Sequence, residues 1–220
     1  MTSTEIWPLW DVVITTPRLE LRYVREADAV ELVEVAKRGI HDPAEMPFDE
    51  PWTDLPYPLF EQSVLQFLSR CVANLTAESW RIPFVAYLDD QCVGLQDVTG
   101  DQFPSLRTVN TGSWLGKEFQ GRGLGQEMRA GVLQFAFANL GAQRAETCAF
   151  EDNTASIAVT TKLGYEPNGE VITNRRGEPN RDLRFAMTAR QWQASPARDV
   201  DVTVTGVGDE LLAQLGIAEA

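Results

Sequence analysis

What is scarce in these 220 residues narrows the reading first. There are three cysteines, Cys71, Cys92 and Cys148, an odd number at scattered spacings that suits reduced thiols better than a disulfide framework or a metal clip. Histidine occurs once, as His41, with no second ligand nearby. It is therefore read as non-metal, either structural or lining an acceptor site. No apolar run approaches the roughly 20 residues that a membrane span requires. Residues 1–10 hold Glu5 and no Lys or Arg ahead of an apolar stretch, so the basic opening of a secretory leader is missing. Together these absences lead us to expect a cytoplasmic protein without a metal. Basic residues are also outnumbered, 19 Lys and Arg against 32 Asp and Glu, for a formal net charge of -13. Such a body repels phosphate backbones and anionic lipid, so neither nucleic acid nor a membrane is expected as a partner. Its field favours a cationic one, such as an amine or a basic polypeptide segment.

What is present suits one core: 44% hydrophobic and 23% charged residues, over a length that needs no covalent staple. Alternation predicts a strand over 18–23, and Ala29, Leu32, Val33 and Ala36 mark one face of a helix that opens at Asp28 and stops at Gly39. Residues 41–58 hold Pro43, Pro47, Pro51, Pro56 and Pro58 and must form a long loop. Its Asp42, Glu45, Asp49, Glu50 and Asp54, with Phe48, Trp52 and Tyr57, fit either a solvated acidic linker or a binding loop. A helix is predicted over 61–74. A meander of strands then covers 82–88, 92–98 and 107–115. Leu124, Met128, Val132 and Phe135 set a long helix, 144–150 a strand, 154–163 a helix ended by Gly164, and 165–173 and 182–188 two further strands. Residues 195–220 are acidic, rich in small residues, and expected to be a loosely attached appendage.

The informative segment is Gln120-Gly-Arg-Gly-Leu-Gly125, where a strand passes through a glycine-rich turn straight into a helix. Glycines let backbone N–H groups converge on an anion and the helix adds its positive end, so a diphosphate is the natural guest. The alternating Gly121, Gly123 and Gly125 do not fit the G-x-G-x-x-G of a dinucleotide fold, and no Gly-Lys-Ser/Thr completes a P-loop. A nucleotide-dependent oxidoreductase is further opposed by the meander that precedes the loop.

The remaining pattern, Q-x-x-G-x-G after several antiparallel strands, resembles the acyl-CoA pyrophosphate loop of the GCN5-related N-acetyltransferase (GNAT) superfamily. The flanking Trp114-Leu-Gly-Lys-Glu-Phe-Gln-Gly-Arg-Gly123 resembles most its ribosomal-protein N-terminal acetyltransferase group. Two further blocks agree. Asn153 to Tyr165 is similar to that family's N-x-x-(S/A)…K-x-G-(F/Y) signature, and 16–22 to its Thr-x-Arg-Leu-x-Leu-Arg opening. The resemblance spans 16–192, leaving 1–15 as an N-terminal extension and 193–220 as an acidic tail. It implies an α+β fold with a mostly antiparallel mixed sheet of about seven strands flanked by about four helices. The strands ending near Leu115 and Phe150 would splay into a slot for the pantetheine arm of acetyl-CoA or another acyl-CoA.

Carried onto this chain, the resemblance implies that the backbone of Trp114, Leu115 and Gly116 pairs with that arm. Gln120, Gly121, Gly123, Leu124, Gly125 and Gln126 would surround the pyrophosphate, with Arg122 and Arg129 near its charge. Asn153 would reach the pantetheine, besides being a good helix N-cap. The implied activity is direct transfer of an acetyl or larger acyl group, such as succinyl, to a primary amine. Ser156 matches a hydroxyl that donates to the leaving sulfur. Relatives that use a tyrosine for this carry it where Thr160 stands. For the base, Asn110 and Cys148 occupy the places where relatives carry glutamate, which leaves Glu146 and Asp97 as candidates. Gln96, Asp97 and His41 are expected at the acceptor, and Gln96 with Arg107 would meet a donor carboxylate. A protein N-terminus, a lysine or a small cationic amine all fit the charge, and a homo-oligomer stays open. The competing class is a non-catalytic acyl-CoA sensor or scaffold.

Overall fold

The computed structural model describes residues 2–217. Its strands, β1 (Val13–Thr15), β2 (Leu19–Tyr23), β3 (Trp80–Leu88), β4 (Gln91–Gly100), β5 (Thr108–Leu115), β6 (Arg144–Phe150), β7 (Glu166–Arg175), β8 (Glu178–Thr188) and β9 (Thr203–Thr205), form one sheet. Their order is β7-β8-β6-β5-β4-β3-β2-β1-β9. Every pairing is antiparallel except β5 with β6. The helices are α1 (Ser3–Ile6), α2 (Asp28–Lys37), α3 (Leu59–Ala73), α4 (Phe103–Leu106), α5 (Leu124–Gln134), α6 (Thr154–Lys162), α7 (Ala189–Ala194) and α8 (Asp209–Gln214).

The α+β architecture is the one expected, with two more strands than anticipated. Both are three-residue pieces, too short to show a period, and they lie in the segments read as an extension and a tail. β1 pairs with β2 on one side and β9 on the other. The appendage reading of the last segment is corrected by packing: Leu211 and Leu215 of the α8 region are fully buried, and the Trp80 indole N–H donates to the Leu215 carbonyl at 3.3 Å. Apolar residues spaced as in Leu211, Leu212 and Leu215 are held by the core whatever the charge around them. Between β7 and β8 the turn is tighter than expected, two residues long, with Arg176 at φ 53° and Gly177 at φ 89°. Positive φ at both central residues gives the turn twist that long hairpins favour.

The break in the sheet matters most for function. β5 and β6 pair only over Thr108–Asn110 and Arg144–Glu146. Beyond that the Thr147 hydroxyl donates to the Thr111 carbonyl at 3.0 Å, and the strands part. One edge of β5 from Gly112 to Leu115 is left without a neighbour in the sheet, while its other edge stays paired to β4.

Candidate active site

α5 begins where the glycine turn ends. Gly121 and Gly123 sit at φ 71° and 78°, in the left-handed region that side chains resist. A Cβ at Gly121 would meet nothing within 4 Å, and one at Gly123 only Arg18 Nη2 at 3.5 Å. Gly123 is the N-cap and no side chain caps it, so the first N–H groups of α5 lack partners. An anion cradle of this kind fits a pyrophosphate.

Its foundation is a buried carboxylate. Glu127 accepts from Thr16 Oγ1 at 2.7 Å, the Arg18 N–H at 2.8 Å and Arg18 Nε at 2.6 Å. Arg18 Nη1 in turn donates to the Arg122 carbonyl at 3.0 Å. The opening motif at 16–22 thus braces the loop. Gln120 has a similar role, its Nε2 donating to the carbonyls of Ile40 at 2.6 Å and Leu115 at 2.9 Å. Arg122 is exposed and outside the cavity lining. Leu124 is core, able to offer only its backbone. Arg129, expected near phosphate, is buried, with Nη1 donating to Thr160 Oγ1 at 2.9 Å and Nη2 to Ser113 Oγ at 3.1 Å.

From this cradle one cavity of about 1560 Å³ runs through the strand gap to the proline-rich loop. Trp114, Leu115, Gln120, Gly121, Gly123, Gly125, Gln126, Asn153 and Ser156 all line it. Asn153 caps α6 by accepting from the Ser156 N–H at 3.1 Å. Ser113 and Leu115 point toward α5, whereas Gly112 faces Asp97 on the side that carries α3. A Cβ at Gly112 would lie 3.2 Å from Asp97 Oδ1, so the glycine makes room for the carboxylate.

Asp97 is buried and 3.3 Å from Arg81 Nη2, whose guanidinium also stacks on Phe67. Burial is the main influence and pushes the Asp97 carboxyl above the usual range, with Arg81 opposing it. Across the gap, Asp182 on β8 is 1% exposed and 2.8 Å from Arg184 Nη2. Its carboxyl too is raised, first by burial and then with help from Asp49, while Arg184 opposes. Asp182 escaped the sequence reading because its place is set by register: it lies opposite Phe150, and nothing within β8 signals that.

Three expected residues are corrected. Glu146 is outside the lining, its carboxylate 2.6 Å from Arg144 Nε at the still-paired end of β6. Gln96 is fully buried, also outside the lining, and its Nε2 donates to the carbonyls of Asp97 at 3.0 Å and Gly112 at 2.8 Å. Arg107, in a left-handed turn over the Phe103 ring, is no part of the lining either. In each case the side chain is committed to the scaffold that surrounds it.

The loop over 41–58 is ordered by aromatic contacts. His41 meets Phe48 at 5.7 Å, Phe48 meets Trp52 at 5.4 Å, and Trp52 meets both Phe60 at 5.6 Å and Trp114 at 5.9 Å. His41 Nε2 lies 2.8 Å from Thr53 Oγ1, so it holds the loop while lining the cavity. The hairpin tip clamps the same loop. Arg176 grips Asp54 through two bonds of 2.8 and 2.6 Å, and Arg175 grips Asp152 through two of 2.7 Å while donating to the Met46 carbonyl at 3.4 Å.

A family model described as an acetyltransferase (GNAT) domain matches residues 18–166. The chain belongs to this family. Solved structures share its fold. RimJ of Mycobacterium smegmatis, in complex with CoA-disulfide, is 23% identical with a TM-score of 0.69, over 87% of this chain and 92% of that one. A ribosomal-protein-S5-alanine acetyltransferase from Vibrio fischeri is 18% identical with a TM-score of 0.64, over 82% and 98%. RimL, a ribosomal L7/L12 alpha-N-protein acetyltransferase in complex with coenzyme A, is 17% identical with a TM-score of 0.66, over 80% and 97%. The parted strands and the uncapped α5 of this chain are thus those of a GNAT domain, and among the described residues no helix is long and apolar enough to cross a membrane.

Proposed function

We propose that this chain transfers an acetyl group from acetyl-CoA to a primary amine of a protein, an N-terminal amine in the first instance. The observation that carries the reading is the continuity of the cavity, with the glycine cradle at one end, a carboxylate- and aromatic-lined chamber at the other, and the parted strands between. Its volume of about 1560 Å³ exceeds the roughly 300–1,000 Å³ of single-ligand pockets, which suits two substrates side by side. Asp42, Glu45, Asp49 and Glu50 at the loop end suit a cationic acceptor, and the ribosomal-protein acetyltransferases among the neighbours support a protein amine.

In the proposed reaction the free edge of β5 pairs with the pantetheine arm as an added strand. Asp97 takes a proton from the ammonium group, a task its raised carboxyl suits. The amine lone pair then attacks the thioester carbon, a C–N bond forms, the C–S bond breaks, the electron pair leaves with sulfur, and the nitrogen sheds its second proton to water to become the amide. A backbone N–H of β5 faces the oxyanion, and the Ser156 hydroxyl donates a hydrogen bond to the departing sulfur while keeping its proton. The test is calorimetry with acetyl-CoA, succinyl-CoA and CoA, followed by thiol release with a panel of peptides and small amines. Turnover with acetyl-CoA and a peptide N-terminus is expected. Binding without turnover on any amine would identify a sensor, and no binding of any of the three would overturn the reading.

A further inference from the structure

Arg129 is given no part in that reaction, yet its setting is unusual for a guanidinium. It is 5% exposed, and its hydrogen-bond partners, the hydroxyls of Thr160 and Ser113, are neutral. Nε has no partner. Among the described residues no carboxylate forms an ion pair with it; Asp97, whose charge reaches it, is paired with Arg81. An arginine keeps its proton under almost any conditions, and burying such a charge without an ion-paired carboxylate is costly. A cation so placed, in the wall of a substrate cavity, is poised for an anion that arrives or forms there.

The phosphates of the donor do not meet this need. Arg129 lies six positions beyond Gly123, about 9 Å farther along the helix axis at 1.5 Å per residue. Ser113, which it holds, lies on the free edge of β5 just past the place where the strands part. Thr160, its other partner, belongs to α6, the helix that also presents Ser156 to the cavity. The guanidinium therefore bridges α5, the open edge of β5 and α6, beside the gap. Resting on the acyl-transfer reading, we propose that Arg129 is the cation that receives the coenzyme A thiolate as the C–S bond breaks. The first ammonium proton goes to Asp97 and the second passes to water as the tetrahedral intermediate collapses, while the electron pair stays on sulfur opposite the guanidinium and coenzyme A leaves as the thiolate, to be protonated in solvent. With a fixed cation there, the leaving group needs no tyrosine at the position of Thr160.

The test reads the thiol itself. Coenzyme A bound to the wild-type protein is titrated by its ultraviolet thiolate absorbance, against the protein alone and against free coenzyme A. Burial pushes Cys71 and Cys148 up to about 11 and Cys92 to about 12, which leaves pH 7–10 clear of the protein's own thiols. The bound thiol is expected to titrate about one pH unit or more below the free one, since a charge-assisted contact shifts a pKa by that order. Arg129→Gln should abolish the shift, hold coenzyme A affinity at pH 6 within about threefold, and lower turnover about 100-fold, the size of a lost transition-state donor. Acyl donors with more acidic thiols should recover part of that loss. A bound thiol in the wild-type protein that titrates at or above the free value overturns the proposal without any variant, as does a shift that survives Arg129→Gln. If coenzyme A does not bind, the donor reading falls and this inference with it; if it binds and turns over with an unshifted thiol, only the role of Arg129 falls.

Discussion

The two ends of the cavity are built by different means. The end proposed for the donor is nearly all backbone: Gly121, Gly123 and the uncapped start of α5 lie within a few residues of one another, and distant side chains serve only to brace them through Glu127 and Arg18. The end proposed for the acceptor is nearly all side chain and is assembled from afar, with Asp97 from β4, Asp182 from β8, aromatics from the loop over 41–58 and arginines from the hairpin tip. A donor shared by a whole family can be met by amide geometry, whereas an acceptor particular to one enzyme calls for groups that vary independently.

Substitutions should separate the two ends. The largest effect is expected from Gly123→Glu, which puts a side chain and a negative charge into the cradle. Acetyl-CoA affinity should fall at least ~100-fold, about 2.7 kcal/mol or more, and unchanged calorimetric affinity would remove the phosphate assignment. Next, Asp97→Asn should lower kcat/KM by roughly 10²–10³ while donor affinity stays put. In the wild-type enzyme the rate should fall as pH drops through a carboxyl pKa raised by burial; that acid limb should be missing in the variant, and its persistence would pass the role to Asp182. Ser156→Ala is a smaller step, about tenfold in kcat. It leaves the α6 cap intact because Asn153 accepts from the backbone N–H of residue 156, so an unchanged kcat would mean that the hydroxyl is idle.

The smallest effect concerns the clamp. Arg175→Ala with Arg176→Ala should raise the acceptor KM a few fold and leave coenzyme A binding alone, because the arginines hold the loop and not the cradle. The arginine side chains hold Asp54 and Asp152 below the ordinary carboxylate range, near 4 in unfolded chains. A depressed carboxyl gives its contribution above that unfolded value and loses it as pH falls through the folded one. The wild-type acceptor KM should therefore rise only in acid below about pH 4, and a clamp that held at still lower pH would contradict the ion pairing.

Legibility in the sequence followed the same division. The glycine turn, its strand and helix, and the α6 cap at Asn153 could be found because each is a run of residues with local geometry, and closely spaced glycines between a strand and a helix mark a backbone turn that side chains would obstruct. The opening motif was visible as a pattern, but its work was hidden, since Glu127 lies 109 residues from Arg18. Glu146 and Gln96 looked suited to chemistry by residue type, and the structure spends both on neighbours, an arginine two positions away and two backbone carbonyls.

By itself, then, the sequence determined most strands and helices and the glycine turn, because strand alternation, helix period and glycine spacing are properties of neighbours along the chain, and its three motif blocks carried the resemblance to the family and its fold. Only the tertiary structure decided which carboxylates face the cavity, that the flanking segments complete the sheet, and that Arg129 is buried with no ion-paired carboxylate among the described residues. The carboxylates and the completed sheet follow from register and from where the sheet parts, since a one-residue slip would turn Asp97 or Asp182 to the other face, whereas Arg129 is placed by the packing of α5 against β5 and α6.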